Sequence, residues 1–191
     1  MSTTHLLMKS IGSVTRISNA RCRKAGLLVF LLLLFSCASP TEKESYLHVE
    51  HLDSPVKLAW GLMGRKSLPE DHAVLMHIVP PRRAAIWAMG IHFDLDVAFL
   101  DSNGIIQEIH TLKSYPEKLD PKRPIKHPRD LFLYEENDPI LVFFKQRSIT
   151  PNNPCHYVLE TNAGFFKKNN LNVGTRLDLF SHRSRIFFSE E

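Results

Sequence analysis

The chain has 191 residues, of which 43% are hydrophobic, 23% charged and 9% aromatic, with 8 Gly and 12 Pro. This is ordinary globular composition, and it excludes collagen-like, low-complexity and polytopic membrane classes. The first 36 residues hold five basic residues and no acidic one, which leaves nineteen Lys and Arg against twenty Asp and Glu in the rest. The formal charge of +4 therefore becomes about −1 from Cys37 onward, which argues against nucleic acid as a partner.

Residues 1–36 are predicted to be a signal peptide. A basic region ends at Lys24, and the eleven uncharged, mostly apolar residues Ala25–Phe35 follow it. This order is typical of export signals, and the apolar run is too short to span a bilayer comfortably. Leu34-Phe35-Ser36-Cys37 resembles the bacterial lipobox, in which the cysteine is acylated and becomes the new N-terminus. We therefore expect export to the bacterial cell envelope and a lipid anchor on Cys37; an ordinary cleavage site or an uncleaved segment is the alternative.

The predicted tether covers residues 37–45, and a single globular domain follows over residues 46–191. The first elements of that domain are a strand over Tyr46–Leu52 and a short helix that begins at Ser54-Pro55, since serine caps helices and proline suits their first turn. Further strands are predicted over Ala73–Val79 and Ala84–Met89.

A hairpin is the clearest element of the second half, because Asn103-Gly104 separates two apolar runs, Leu95–Leu100 and Ile105–Ile109. The remaining predictions are no regular element over Ser114–Pro128, strands over Pro139–Phe144, His156–Glu160 and Arg176–Phe180, and a helix over Ala163–Asn169 capped by Asn162. Many short strands without βαβ alternation predict an α+β, β-rich compact domain, a small barrel or curled antiparallel sheet with two short helices.

Five motifs spread over Val49–Phe180 resemble one known family, and they occur here in the family's order. They are Gly61-Leu62-Met63 with Arg65 and Leu68, Trp87, Leu95–Asp101 with Gly104, Tyr157–Glu160 with Ala163-Gly164, and Val173-Gly174. The family is domain of unknown function 192 (DUF192). The resemblance implies a compact β-rich fold and, in many members, export, and it supplies no activity. This chain departs from the family pattern after Trp87, where Ala88-Met89-Gly90-Ile91 replaces Met-Lys-Asn-Thr.

Four residues within these motifs are candidates for ligand binding: Arg65, Trp87, Asp96 and Glu160. A tryptophan face can stack on a ring or a cation, and carboxylates can bind donors. Asp94 and Asp96 are predicted to share one face of a strand, and a carboxylate pair can also serve as general acid and base. The structural alternative is that these carboxylates stabilise the sheet through hydrogen bonds and that Trp87 packs in the core.

No catalytic residue, metal site or cofactor is expected. The histidines lack compact metal-ligand spacing, and Cys155 is expected to be buried or in a loop rather than reactive. Ser114–Arg129 carries five basic residues and is either a solvated loop or a docking strip for an anionic surface.

The sequence therefore favours a membrane-tethered envelope lipoprotein whose domain binds an unknown small molecule or envelope protein without performing chemistry. The alternative is a hydrolase of envelope components that uses Asp96 with Glu160 or Asp94. A purely structural envelope component is a third interpretation.

Overall fold

The computed structural model describes residues 44–189, so the expected signal peptide, Cys37 and most of the tether lie outside the described residues. Within this range the chain forms seven strands, three short α-helices and two 3-10 turns. The strands are β1 (Glu44–Leu52), β2 (His72–Arg82), β3 (Leu95–Leu100), β4 (Ile106–Leu112), β5 (Cys155–Asn162), β6 (Asp178–His182) and β7 (Arg185–Ser189). The helices are α1 (Pro55–Trp60), α2 (Pro139–Lys145) and α3 (Phe165–Lys168), and the 3-10 turns are Pro116–Lys118 and Pro128–Leu133.

All seven strands belong to one sheet, in the order β4-β3-β5-β2-β1-β7-β6. β1 and β2 are parallel and every other neighbouring pair is antiparallel. Within residues 44–189, no hydrogen-bonded ladder joins the edge strands β4 and β6. An isolated bridge links Ile105, just before β4, to Arg176, just before β6. The predicted β-rich α+β domain is confirmed, and its sheet is mixed and open rather than antiparallel or a barrel.

The parallel pair explains the difference from the predicted antiparallel sheet. Parallel neighbours need a crossover connection, and α1 with the loop to His72 supplies it. Ser54 accepts a hydrogen bond from the Lys57 amide at the start of α1, as predicted, and Gly61 ends the helix with a φ of 53°.

Both faces of the sheet are covered by apolar residues. We call the side that carries Val74, Val97 and Val158 face A, and the side that carries Leu75, Ala98 and Leu159 face B. All six residues of β3 are buried, because α1 and its following loop lie over face A and the chain around α3 lies over face B. Cys155 is a buried free thiol, as expected.

Three local predictions are wrong. Ala84–Met89 forms no strand and contributes only the bridge between Ile86 and Ile149. Pro139–Phe144 is helical, because Asp138 accepts a hydrogen bond from the Ile140 amide and so caps α2. Asn162 does not cap a helix; it ends β5, and its side-chain amide donates to the carbonyls of Leu68 and Pro69.

The segment Ser114–Arg129 forms no regular helix or strand beyond the two 3-10 turns, as its prolines predict. Its positive charge is partly neutralised within the chain: Arg123 donates to Asp138 at 2.6 Å and to Asp120 at 2.9 Å. Both carboxylates raise the pKa of Arg123. Among the described residues, no helix has the length and apolar character needed to cross a bilayer.

Candidate functional site

Glu160 lies in the middle of the sheet, on face A. Its register partners are Val74 on β2 and Val97 on β3, so an aliphatic side chain flanks it on each side. The same row continues to Glu50 on β1 and His110 on β4. The carboxylate is therefore held on an interior strand of the sheet by ladders with two neighbours.

The Glu160 side chain is buried without compensation. The residue is 2% exposed, and its Oε2 atom has no hydrogen-bond partner. Burial raises the pKa of Glu160 to about 7, and the positive charge of Arg65 opposes the shift. Buried polar atoms are normally paired, so an unpaired carboxylate oxygen in a core is a feature that needs an explanation.

Glu160 is one of the residues that line a small cavity of about 60 Å³, which we call the Glu160 cavity. Both tryptophans of the chain, Trp60 and Trp87, line it together with Glu160. The other lining residues are Leu58, Ala59, Gly61, Leu62, Met63, Met76, Ala85, Ile86 and Ile91. Ala59 and Ala85 are exposed, so the cavity reaches the surface between them.

Local sequence builds one wall of this cavity at the end of α1. Gly61 has a positive φ, and a Cβ at this position would lie 3.2 Å from Cε of Met76. The positive φ of this turn favours glycine, and the Met76 methyl group at the end of a flexible side chain packs closely against it. The turn carries Leu62 and Met63 back over the sheet, which places them against the cavity.

Arg65 lies outside the Glu160 cavity. Its guanidinium donates a hydrogen bond to Glu50 and forms an ion pair with it. Arg65 thus acts on Glu160 electrostatically, while its own hydrogen bond goes to another carboxylate.

Asp96 lies on the opposite side of the sheet. Its partner on β5 is Thr161, whereas the next residue, Val97, pairs with Glu160, so the two carboxylates point to different faces. Asp96 accepts hydrogen bonds from the Thr111 hydroxyl at 2.9 Å and the Gly164 amide at 2.8 Å. These bonds join β3 to β4 and to the start of α3, which is a structural role.

Asp94 also forms hydrogen bonds within the fold. It precedes β3, and its Oδ1 atom accepts from the amide and the hydroxyl of Ser114. The structure thus brings Trp87 and Glu160 together, keeps Arg65 nearby and separates Asp96 from them.

Trp60 and Met63 are site residues that the motif reading did not select. Trp60 directly precedes the Gly61-Leu62-Met63 motif, and Met63 belongs to it. The signal available in the sequence was the position of Trp60 directly before a family motif.

A larger groove of about 540 Å³ lies beside Tyr46 and α3. Its charged groups are exposed and paired: Lys168 contacts Glu70 at 3.2 Å. No carboxylate or amine is buried and unpaired there among the described lining residues. Chemistry rather than volume therefore favours the Glu160 cavity.

The family comparison covers the whole of this site. The profile of DUF192, described as an uncharacterized ACR, matches residues 38–179. The chain belongs to the DUF192 family. The resemblance carried by the five sequence motifs is therefore confirmed, and the family assigns no activity to the Glu160 cavity.

Three chains of solved structures resemble this one, and two of them are described here. A Sinorhizobium meliloti 1021 protein, provisionally named a transcription regulator, is 28% identical with a TM-score of 0.50, over 69% of this chain and 81% of that one. A protein of unknown function from Novosphingobium aromaticivorans DSM 12444 is 18% identical with a TM-score of 0.48, over 67% of this chain and 71% of that one. No curated protein shows significant similarity to this DUF192 chain.

Proposed function

We propose that this DUF192 protein is an exported lipoprotein, anchored to an envelope membrane through Cys37, whose domain binds a small ligand in the Glu160 cavity without transforming it. One observation carries the binding proposal. A carboxylate that is 2% exposed leaves one oxygen unpaired beside a cavity that both tryptophans line. A bound hydrogen-bond donor would satisfy that oxygen, and partial enclosure by apolar walls with one oriented polar group is typical of binding sites.

The lining residues favour binding over catalysis. Among the described residues of the cavity, Glu160 is the only titratable one, and the remainder are apolar or tryptophan. The hydrolase considered from the sequence needs a second carboxylate within reach of Glu160. Asp96 cannot fill that role beside Glu160, since it points to face B. The cavity thus has the means to orient a ligand, and a hydrolytic pair of Glu160 with Asp96 has no support.

The binding proposal is tested with the full chain and its intrinsic fluorescence. Because Trp60 and Trp87 are the only tryptophans, their emission reports on the cavity alone. A panel of small amines, amides, alcohols and carboxylates is titrated, and at least one class is expected to give a saturable change. Ala85→Phe, at the exposed edge of the cavity, should abolish it. Val173→Phe, an exposed site elsewhere, should preserve it. A panel without any saturable response would overturn the proposal.

The membrane anchor rests on the order of charge, apolar run and Cys37 in the sequence. Expression in a bacterium with labelled palmitate tests it. Wild type and the buried-thiol control Cys155→Ser should incorporate the label, and Cys37→Ser should not. Mass spectrometry should find Cys37 as the acylated N-terminus. An N-terminal peptide that retains residues 1–36 without an acyl group would contradict the anchor.

A further inference from the structure

We propose that the ligand of the Glu160 cavity is a compact organic cation, a primary ammonium or a guanidinium group, that binds beside Glu160 in the cavity that Trp60 and Trp87 line. This inference rests on the proposed binding function and specifies its chemistry. Three independent properties of the cavity carry it: charge, aromatic lining and size.

The charge of the lining selects against anions. Glu160 is the only charged group among the described lining residues, and no Lys, Arg or His lies among them. A bound anion would therefore face a carboxylate without a compensating positive charge, in surroundings where burial strengthens repulsion. A bound cation would instead be attracted by the Glu160 carboxylate, whose Oε2 atom has no partner, and would offset the cost of burying that charge.

The cation inside the protein is already engaged elsewhere. Arg65 is the positive charge that acts on Glu160, and its guanidinium donates to Glu50 rather than to Glu160. Since the exposed Glu50 carboxylate is the hydrogen-bond partner of this guanidinium, the Glu160 carboxylate is left for an external cation. The buried Glu160 carboxylate therefore attracts positive charge, and no cationic side chain of the described residues donates a hydrogen bond to its Oε2 atom.

The aromatic walls favour the same class of ligand. The faces of tryptophan rings carry negative electrostatic potential and attract ammonium and guanidinium groups more strongly than neutral isosteres. Met63 and Met76 add polarizable sulfur atoms to the lining. Basic side chains, which would suit a phosphate, do not occur among the described lining residues.

The size of the cavity limits what enters. A volume of about 60 Å³ exceeds the roughly 10–15 Å³ that one water needs, and it suits a single charged head group rather than a whole metabolite. The remainder of a larger ligand would pass between the exposed residues Ala59 and Ala85 into solvent. The inference is therefore recognition of a terminal cationic group, with the rest of the molecule outside.

The test is a fluorescence titration of the full chain with methylammonium chloride and guanidinium chloride, with sodium chloride at equal ionic strength as the blank. Methanol and acetamide serve as neutral probes, and sodium acetate serves as the anionic probe. A saturable change with at least one cation, and affinity at least about tenfold weaker for every neutral or anionic probe, would support the inference.

Variants separate the cavity from general charge effects. Glu160→Gln preserves the shape and removes the charge, so cation affinity should fall by about tenfold or more. Glu135→Gln, the same change at an exposed site outside the cavity, should leave it unchanged. If Glu160→Gln fails to fold by circular dichroism, loss of the cation response in Ala85→Phe takes its place as the supporting result.

The two proposals fail in different ways. Saturable binding of a neutral or anionic probe that Ala85→Phe blocks, with no response to either cation, would overturn the cation inference and leave the binding function standing. An equal cation response in wild type and folded Glu160→Gln would also overturn the inference. No saturable response to any probe would overturn both.

Discussion

Folding places Glu160 where burial disfavours the charged form of its carboxylate. Its pKa rises from 4.5 to about 7 because burial disfavours the carboxylate, and no nearby donor restores the lost hydration at Oε2. A group with a raised folded pKa binds more protons in the folded state than in the unfolded state between those two values. The folded protein is therefore stabilised by this group below about pH 4.5 and loses that contribution as the pH rises to about 7.

This linkage predicts a pH-dependent effect of Glu160→Gln on stability. The free energy of unfolding of the variant, relative to wild type, should increase by up to about 3 kcal/mol between pH 4.5 and 7.5, because glutamine has no charge to bury. Urea denaturation at several pH values measures it, with Glu135→Gln as the exposed control. A stability difference that does not change with pH would mean that Glu160 is solvated or paired in solution.

Gly104 illustrates a residue fixed by backbone and space together. Its φ is 77°, and a Cβ would lie 2.6 Å from the carbonyl oxygen of Leu177. Gly104→Ala should therefore lower the free energy of unfolding by at least about 2 kcal/mol, since both strain and a clash arise. Gly174→Ala, with a φ of 94° and open space around the site, should cost only about 1 kcal/mol. Equal losses in thermal denaturation would contradict the steric argument.

At the scale of elements, the sequence predicted the helix start and the hairpin that neighbouring residues determine. The Ser54 cap and the hairpin from β3 to β4 follow from residues adjacent in sequence, and both predictions hold. The apolar run Pro139–Phe144 fits a buried strand equally well by composition, and the Asp138 cap decides for a helix. The strand β7 escaped prediction because its pairing with β1 is the longest-range contact of the sheet.

Arg123 holds the proline-rich segment together. Its guanidinium donates to Asp120, to Asp138 and to the carbonyl of Leu133, and lies 4.4 Å from the centre of the Tyr134 ring. Arg123→Ala should increase amide hydrogen exchange across residues 114–138 while the strands keep their protection. Lys126→Ala removes the same charge from the same segment and should change exchange little. Unchanged exchange in Arg123→Ala would show that the prolines alone fix the segment.

At the scale of the whole molecule, the sequence motifs identified the family but not the geometry of the site. The alternation of residues along β3 correctly predicts that Asp96 and Val97 point to opposite faces of the sheet. The face on which Glu160 lies depends on the register of β5 with β3, and that register is set by contacts between residues 57 to 67 positions apart. Trp87 and Glu160 were therefore predictable as candidates, whereas their separation from Asp96 was not.

The division of the site by the sheet predicts energetic independence of Asp96 and Glu160. Asp96→Asn should lower the free energy of unfolding by about 1–3 kcal/mol, because its oxygens accept hydrogen bonds from Thr111 and Gly164. Combined with Glu160→Gln at pH 7, its effect should add to within about 0.5 kcal/mol, since the two share no hydrogen-bond partner. A coupling above about 1 kcal/mol in the double-mutant cycle would show that the faces communicate.

β5 is hydrogen-bonded along both of its edges, to β2 and to β3. A carboxylate mounted on such a strand cannot retract when its recess is vacant, as one on a hinged loop could. The rate of binding is then set by how fast a ligand enters the cavity, and no change in the sheet has to precede entry. Capture and release should accordingly follow simple one-step kinetics, with an observed rate that grows in proportion to guest concentration.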